Sequence, residues 1–562
     1  MKYTIDNIRK DPRLQYIPNH QITDHYDQAL SVKAHNGTFV GLKTGSVLSF
    51  KGIPYAIQPV GDWRFKRVDL PSDDDGVYEA YHFGHSCLQT ELFSERASFY
   101  EQGEDCLTLN IWTNTKNTSS NKPVMVFIHG GSYGWGGTAD PLYDGHNLIN
   151  KFDDIILVTI NYRVGLLGFI DLSSYSDSEG YEESTNLGLY DQITALKWIN
   201  KNIAAFGGNP DNVTIFGESA GGGSVSLLAV IDEARPYFKR FIAESGSIAL
   251  TFSKKEAQKL TYKIRKEHHV KSVKQFKEMS FDELKTMNLT LNEYNNFPIR
   301  DSRLIPVDLY NEYYQGKASD KDMIIGTMQD EVRYWINEIG GIGPYRLSIP
   351  VVFENNIERL SKKDKKIVNE FMAMLDMNQT WKLTEFYNEV MFRVPATTQA
   401  WYHHAQGGRT YMYYWKYPSA NRHSGACHAV ELSYVFNNLD ETIYTGNNPS
   451  QAIADKIQAM WVNFARHGDP SINEQHWPQY DKNRETMIFD EPCSLVNNPL
   501  AKQRELIEPI NKYHFNGSYV DLNYNVPSVR RYIRFIIYFI VLFVMIIKGV
   551  NHLLKKGSKD KK

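Results

Sequence analysis

Residues 212–223 constrain the fold more than any other stretch, because they set one serine between glycines at the junction of a strand-like and a helix-like segment. Asn212-Val213-Thr214-Ile215-Phe216 reads as a short buried strand, and residues 224–229 can start a helix. Gly217-Glu218-Ser219-Ala220-Gly221 between them then forms a sharp strand-to-helix turn that presents Ser219. Glycine tolerates the crowding such a turn creates. Gly-x-Ser-x-Gly alone is a cheap pattern, so the rest of the chain has to supply the chemistry.

The surrounding sequence alternates strand and helix signals without a long Pro/Gly/Ser linker, a repeat or a low-complexity tract between about residues 30 and 515. Pro123-Val124-Met125-Val126-Phe127-Ile128 and Asp154-Ile155-Ile156-Leu157-Val158-Thr159-Ile160 are apolar runs suited to central strands buried on both faces. Residues 192–206 carry Ile193, Leu196, Trp198, Ile199 and Ile203 at helical spacing and read as an amphipathic helix. Strand, helix, strand, Ser219, helix is an α/β progression in a mainly parallel sheet. The charged, helical residues 254–294 read as a cap insertion over that sheet.

A formal charge of −3 over 562 residues provides no basic field, which excludes a nucleic-acid partner. Four cysteines, Cys87, Cys106, Cys427 and Cys493, are too few for a disulfide-built scaffold. They allow three full pairings, and one bridge could close the loop between Cys87 and Cys106.

Residues 1–29 mix charges with isolated apolar residues and read as a leader without a signal peptide. At the other end, residues 535–547 are thirteen apolar residues without a charge. Residues 532–554 as a helix would span about 34 Å, enough to cross a bilayer core. The expectation is therefore a hydrolase domain over residues 30–515, a stalk over 516–531, a transmembrane anchor over 532–554 and a basic tail over 555–562. The lysines of the tail favour a cytoplasmic end, Arg530, Arg531 and Arg534 blunt that bias, and the side of the catalytic domain stays open.

A serine hydroxyl needs a histidine base, an acid to orient it and donors for the developing oxyanion. Phe127-Ile128-His129-Gly130-Gly131-Ser132-Tyr133-Gly134 follows a core strand upstream of the serine, as an oxyanion loop should. Its donors would be the N–H groups of Gly131 and Ser132, with that of Ala220 after the nucleophile. Ser132 stands where a third glycine is usual, which adds a Cβ beside the acyl site. Downstream, Asp330 and Glu331 could each serve as the acid.

These blocks, with Phe50-Lys51-Gly52-Ile53-Pro54-Tyr55-Ala56, Glu104-Asp105-Cys106-Leu107-Thr108-Leu109-Asn110, Asn161-Tyr162-Arg163 and Phe206-Gly207-Gly208-Asn209-Pro210, resemble the motifs of the type-B carboxylesterase and cholinesterase family in order and spacing. The resemblance implies an α/β-hydrolase fold over roughly residues 30–510 and ester hydrolysis through an acyl-enzyme. It matches Glu331 to the family's acid and His428 to its histidine, a choice that composition could not make from His403, His404 or His423. It also matches Cys87 and Cys106 to the first family disulfide.

No tryptophan lies between those cysteines, where cholinesterases carry the one that stacks on choline, so the reading is carboxylesterase-like. Tyr133, Tyr334 and Trp335 are candidates for the substrate pocket. Neither a metal nor an organic cofactor is implied. The expected partners are a small ester and, through the C-terminal segment, a membrane; oligomeric state is unassigned. Two alternatives share the fold: an acyltransferase using the same three residues with an acceptor other than water, and a non-catalytic adhesion protein, a role associated with an incomplete triad.

Overall fold

The computed structural model describes residues 15–89, 100–292, 297–338 and 341–515. It divides the chain into residues 1–520 and 521–562, and the second unit lies wholly outside the described residues. The expected anchor over 532–554 falls there; among the described residues no helix is long and apolar enough to cross a membrane.

Eleven strands form one mixed sheet. In chain order they are β1 (Leu42–Thr44), β2 (Val47–Pro54), β3 (Thr108–Thr113), β4 (Lys122–Ile128), β5 (Ile156–Ile160), β6 (Gly208–Glu218), β7 (Arg240–Glu244), β8 (Asp322–Met328), β9 (Thr410–Trp415), β10 (Glu485–Phe489) and β11 (Ser494–Asn497). Across the sheet the order is β1-β2-β3-β5-β4-β6-β7-β8-β9-β10-β11. From β5 to β10 every pairing is parallel, while both margins pair antiparallel.

Parallel strands covered on both faces are predominantly apolar, and the central stretches of β4, β5 and β6 are so. Val124, Val126, Ile128, Ile156, Val158, Ile160 and Ile215 pack into one core, and Met125, Phe127, Leu157 and Phe216 into the core on the opposite face. Alternation along each strand thus feeds two hydrophobic layers from one sheet.

Helix α1 (Leu187–Asn202) begins five residues before the expected start and ends in a 3-10 turn, Ile203–Phe206. It is buried nearly all round rather than amphipathic. Its polar residues are satisfied inward: Asp191 holds the buried Arg163 at 2.6 Å and Gln192 donates to Ser224 at 3.0 Å. Helix α2 (Ala220–Leu228) starts directly after Ser219, earlier than the sequence suggested, and its first turn has no room for side chains at Gly221 and Gly222, where a Cβ would meet backbone oxygens at 1.9 and 2.7 Å.

Between β7 and β8, helices Lys254–Glu267, Val273–Glu278 and Phe281–Asn292 contribute Leu260, Ile264, Phe276 and Leu284 to the core that includes the sheet. A third apolar layer, centred on Phe371, Phe386 and Ile507, lies among helices after β8 and near the end of the described chain.

Candidate active site

Ser219 sits between β6 and α2 with φ 56° and ψ −117°, a conformation held by neighbours on both sides. Its N–H donates to the Glu244 carbonyl at 2.8 Å, and its own carbonyl accepts from Gly223 at 2.8 Å. A Cβ on Gly217 would stand 2.5 Å from the Ile128 carbonyl oxygen and one on Gly221 only 1.9 Å from it, so both positions require glycine. Ser219 stays half-buried while Glu218 and Ala220 are buried, which leaves the hydroxyl within reach of a ligand.

The loop after β4 lies against this turn: a Cβ on Gly130 would come 3.2 Å from that of Ser219. Gly131, Ser132 and Tyr133 all have positive φ, at 105°, 52° and 56°. The carbonyl of Gly131 accepts from Gly134 and Trp135, and among the described residues the N–H groups of Gly131, Ser132 and Ala220 make no backbone hydrogen bond. These three donors therefore remain available beside Ser219. His129 is structural: it stacks on Tyr162, with centroids 4.4 Å apart, and burial pushes its pKa down to about 4.

Nδ1 of His428 lies 2.6 Å from Oε2 of Glu331, and both residues are buried. Glu331 accepts from the Met328 N–H through Oε1 at 2.8 Å, and the His428 N–H reaches the Glu331 carbonyl at 3.3 Å. Asp330 does something else. Its Oδ2 accepts from the Ala426 N–H at 3.0 Å and its N–H donates to the Ala426 carbonyl at 2.9 Å, tying the acid loop to the histidine loop. Gly425, at φ 58°, makes room, since a Cβ there would meet Asp330 at 2.2 Å.

Of the candidate pocket residues, Tyr334 and Trp335 come to the histidine. The Trp335 ring stacks on His428 at 5.8 Å and Tyr334 meets it edge-on at 5.7 Å. Tyr133 shows no contact with His428 and is fully buried. Its positive φ turns the side chain into the core, where it has no exposed surface and packs edge-on against Phe169 and Phe297.

Three features around the histidine lie beyond the sequence expectation. Phe392 packs on His428 with centroids 5.0 Å apart, from a helix far along the chain. Glu218 brings Oε1 within 3.1 Å of His428 Nε2. Glu244 and Glu431 are buried nearby. Adjacency to Ser219 was the available signal for Glu218; the others had none.

Burial raises the pKa of Glu218 well above the carboxylate range, reinforced by Glu431, Glu331 and Glu244. Glu431 is raised for the same reasons, and burial lifts Glu244 to about 7 against the hydrogen bond it accepts from Trp461 at 2.6 Å. The shift favours the neutral form of Glu218 beside the imidazole.

Cys87 and Cys106 form a disulfide, with Cα atoms 5.0 Å apart; Cys427 and Cys493 are free and buried. Among the described residues no group of three or more His, Cys, Asp or Glu side chains is arranged to hold a metal ion.

The carboxylesterase family model matches residues 28–505. The para-nitrobenzyl esterase of Bacillus subtilis (strain 168) is 33% identical over 508 residues, covering 85% of this chain and 98% of that protein. Acetylcholinesterase of Danio rerio is 27% identical over 79% of this chain and 81% of its own length. A carboxylesterase structure from Geobacillus stearothermophilus aligns with a TM-score of 0.77 at 30% identity, covering 85% of this chain and 99% of that one. The chain belongs to the carboxylesterase family and is a carboxylic ester hydrolase.

Proposed function

We propose that the protein cleaves carboxylic esters by acyl transfer through Ser219. The observation that carries this reading is the buried 2.6 Å pairing of His428 Nδ1 with Glu331, with His428 Nε2 3.1 Å from Glu218, the residue before a serine held on a strained turn. Glu331 fixes the tautomer in which Nδ1 bears the proton and Nε2 is free to accept one. As Ser219 Oγ bonds to the ester carbonyl carbon, its proton passes to Nε2, and the carbonyl oxygen takes up negative charge. The N–H groups of Gly131, Ser132 and Ala220 receive that charge.

Collapse of the intermediate breaks the bond to the alcohol oxygen, which takes the proton from Nε2. Water then repeats the sequence on the acyl-enzyme and regenerates Ser219. Hydrolysis of p-nitrophenyl esters from acetate to laurate, with Ser219→Ala in parallel, tests the scheme. Steady turnover lost by about 10⁴-fold in the variant supports it. A single stoichiometric burst would point instead to an acceptor other than water, and equal rates in both proteins would sink it.

The thirteen apolar residues 535–547 also support membrane attachment through residues 532–554. Retention in the membrane pellet after alkaline carbonate extraction is the expected outcome. Release into the supernatant would refute the anchor.

A further inference from the structure

Helix α3 (Gln379–Tyr387) runs without a break into α4 (Val394–Ala405), but the six residues joining them, Asn388–Arg393, form a π-helical turn. The Val394 N–H bonds back five residues, to the Glu389 carbonyl. Pro395 explains the widening: it has no N–H to offer the Met391 carbonyl, and its ring crowds the ordinary helical path. Such turns displace side chains from the register a regular helix would give them, and they recur at functional sites.

Here the turn aims two buried side chains, one helical turn apart, at different parts of the catalytic apparatus. Asn388 brackets the segment that carries Glu331: its Oδ1 accepts from the Val332 N–H at 3.0 Å and its Nδ2 donates to the Gln329 carbonyl at 3.1 Å. Phe392 packs on the His428 ring at 5.0 Å and meets Trp335 at 6.3 Å. With Trp335 stacked on the same imidazole at 5.8 Å, the ring is confined by aromatic surfaces while Nδ1 is held by Glu331.

The turn is itself pinned. Buried Arg393 pairs with Glu389 and with Glu385 at 3.2 Å, and lies over the Tyr414 ring of β9, 4.8 Å from its centroid. Asn388 Nδ2 also donates to Glu385 at 3.0 Å. A rigid central strand therefore supports the turn, and the turn supports the acid and the base together.

We propose that the π-helical turn is a positioning element for the reaction, with Asn388 fixing the backbone of the acid loop and Phe392 restricting the imidazole of His428. The proposal rests on the assignment of Ser219, Glu331 and His428 above. The base must take a proton from Ser219 and deliver it to the leaving oxygen without swinging away, and small misplacements of such groups cost rate disproportionately. Neither Asn388 nor Phe392 is required to touch the substrate, so their loss acts on kcat.

The test uses the full chain in detergent with p-nitrophenyl butyrate, comparing wild type with Phe392→Leu, Asn388→Ala and Ser219→Ala. Active sites are counted by endpoint labelling with a fluorophosphonate. The expected result for the first two variants is kcat per labelled site lower by about tenfold or more, with KM within about twofold. A purely structural role would lower the number of labelled sites and leave kcat per site unchanged, which would overturn the proposal.

Phe392→Met serves as the second variant if Phe392→Leu does not fold, because Met fills the volume without a flat ring. Ser219-dependent turnover that is unaltered in the folded variants refutes the positioning role alone. If wild-type turnover does not depend on Ser219, the underlying assignment fails and the proposal fails with it.

Discussion

Glu218 Oε1 and His428 Nε2 are 3.1 Å apart, so the residue before Ser219 touches the nitrogen that, in the proposed mechanism, receives the serine's proton. An ionised carboxylate there would favour the imidazolium and keep Nε2 occupied. A neutral carboxyl leaves the imidazole uncharged, and burial, reinforced by Glu431, Glu331 and Glu244, raises the Glu218 pKa and so favours that form.

Glu218→Gln preserves the neutral shape. At neutral pH it is expected to hold kcat within about tenfold of wild type, far from the loss caused by removing a triad member. The wild type should lose activity on the alkaline side as Glu218 ionises, and the variant should lack that limb. The pH dependence of kcat for both proteins checks this; superimposable alkaline limbs would count against it.

Glu244 predicts a stability effect of opposite practical sense. Its pKa rises from 4.5 to about 7 on folding, so the native state binds its proton more tightly than the unfolded chain does. Stability therefore falls as pH rises from about 4.5 to about 7, and the penalty is complete above that window. At 1.36 kcal/mol per pKa unit the full penalty is about 3 kcal/mol. Glu244→Gln can still accept from Trp461, so it should be more stable than wild type at pH 8 by up to that amount and equal to it near pH 4. Denaturant midpoints at the two pH values decide the matter.

Gly221→Ala should be severely destabilising. The added Cβ meets backbone, the Ile128 carbonyl oxygen at 1.9 Å, and not the end of a flexible side chain. Relief requires separating β4 from the turn, at a cost of about 3 kcal/mol or more. Equilibrium unfolding and the yield of labelled active sites should fall together.

Selectivity should favour neutral esters. The segment between Cys87 and Cys106 holds no tryptophan on which a quaternary ammonium could stack. We expect kcat/KM for acetylcholine below that for an uncharged acetate ester of similar size. The reverse order would show that another part of the site binds the cation.

Much of the sheet was legible in the sequence because a strand buried on both faces must be apolar at successive positions. Val124 to Ile128 meet that condition, Ile156 to Ile160 depart from it only at Thr159, whose buried hydroxyl accepts from Asn110, and both are central strands. The turn at Ser219 was legible for a related reason: Gly217 and Gly221 answer local crowding that no other residue type tolerates. Helix α1 reads as amphipathic in the sequence yet is buried nearly all round, because its inward polar residues, Asp191 and Gln192, find partners only in the folded chain.

By itself the sequence determined a mainly parallel sheet, a serine on a strand-to-helix turn and a glycine loop beside it, since each depends on residues close together in the chain. Residue chemistry left the division of labour between neighbours open; the family resemblance pointed to Glu331, and the tertiary structure shows the contacts. Asp330 and Glu331 are the same chemistry one residue apart, yet Asp330 binds the Ala426 backbone and Glu331 binds His428. Phe392 and Asn388 reach the histidine and the acid loop from a turn 36 residues before His428 and 57 residues after Glu331 respectively. Contacts of that kind depend on where a widened helix meets a sheet, which no local pattern of residues encodes.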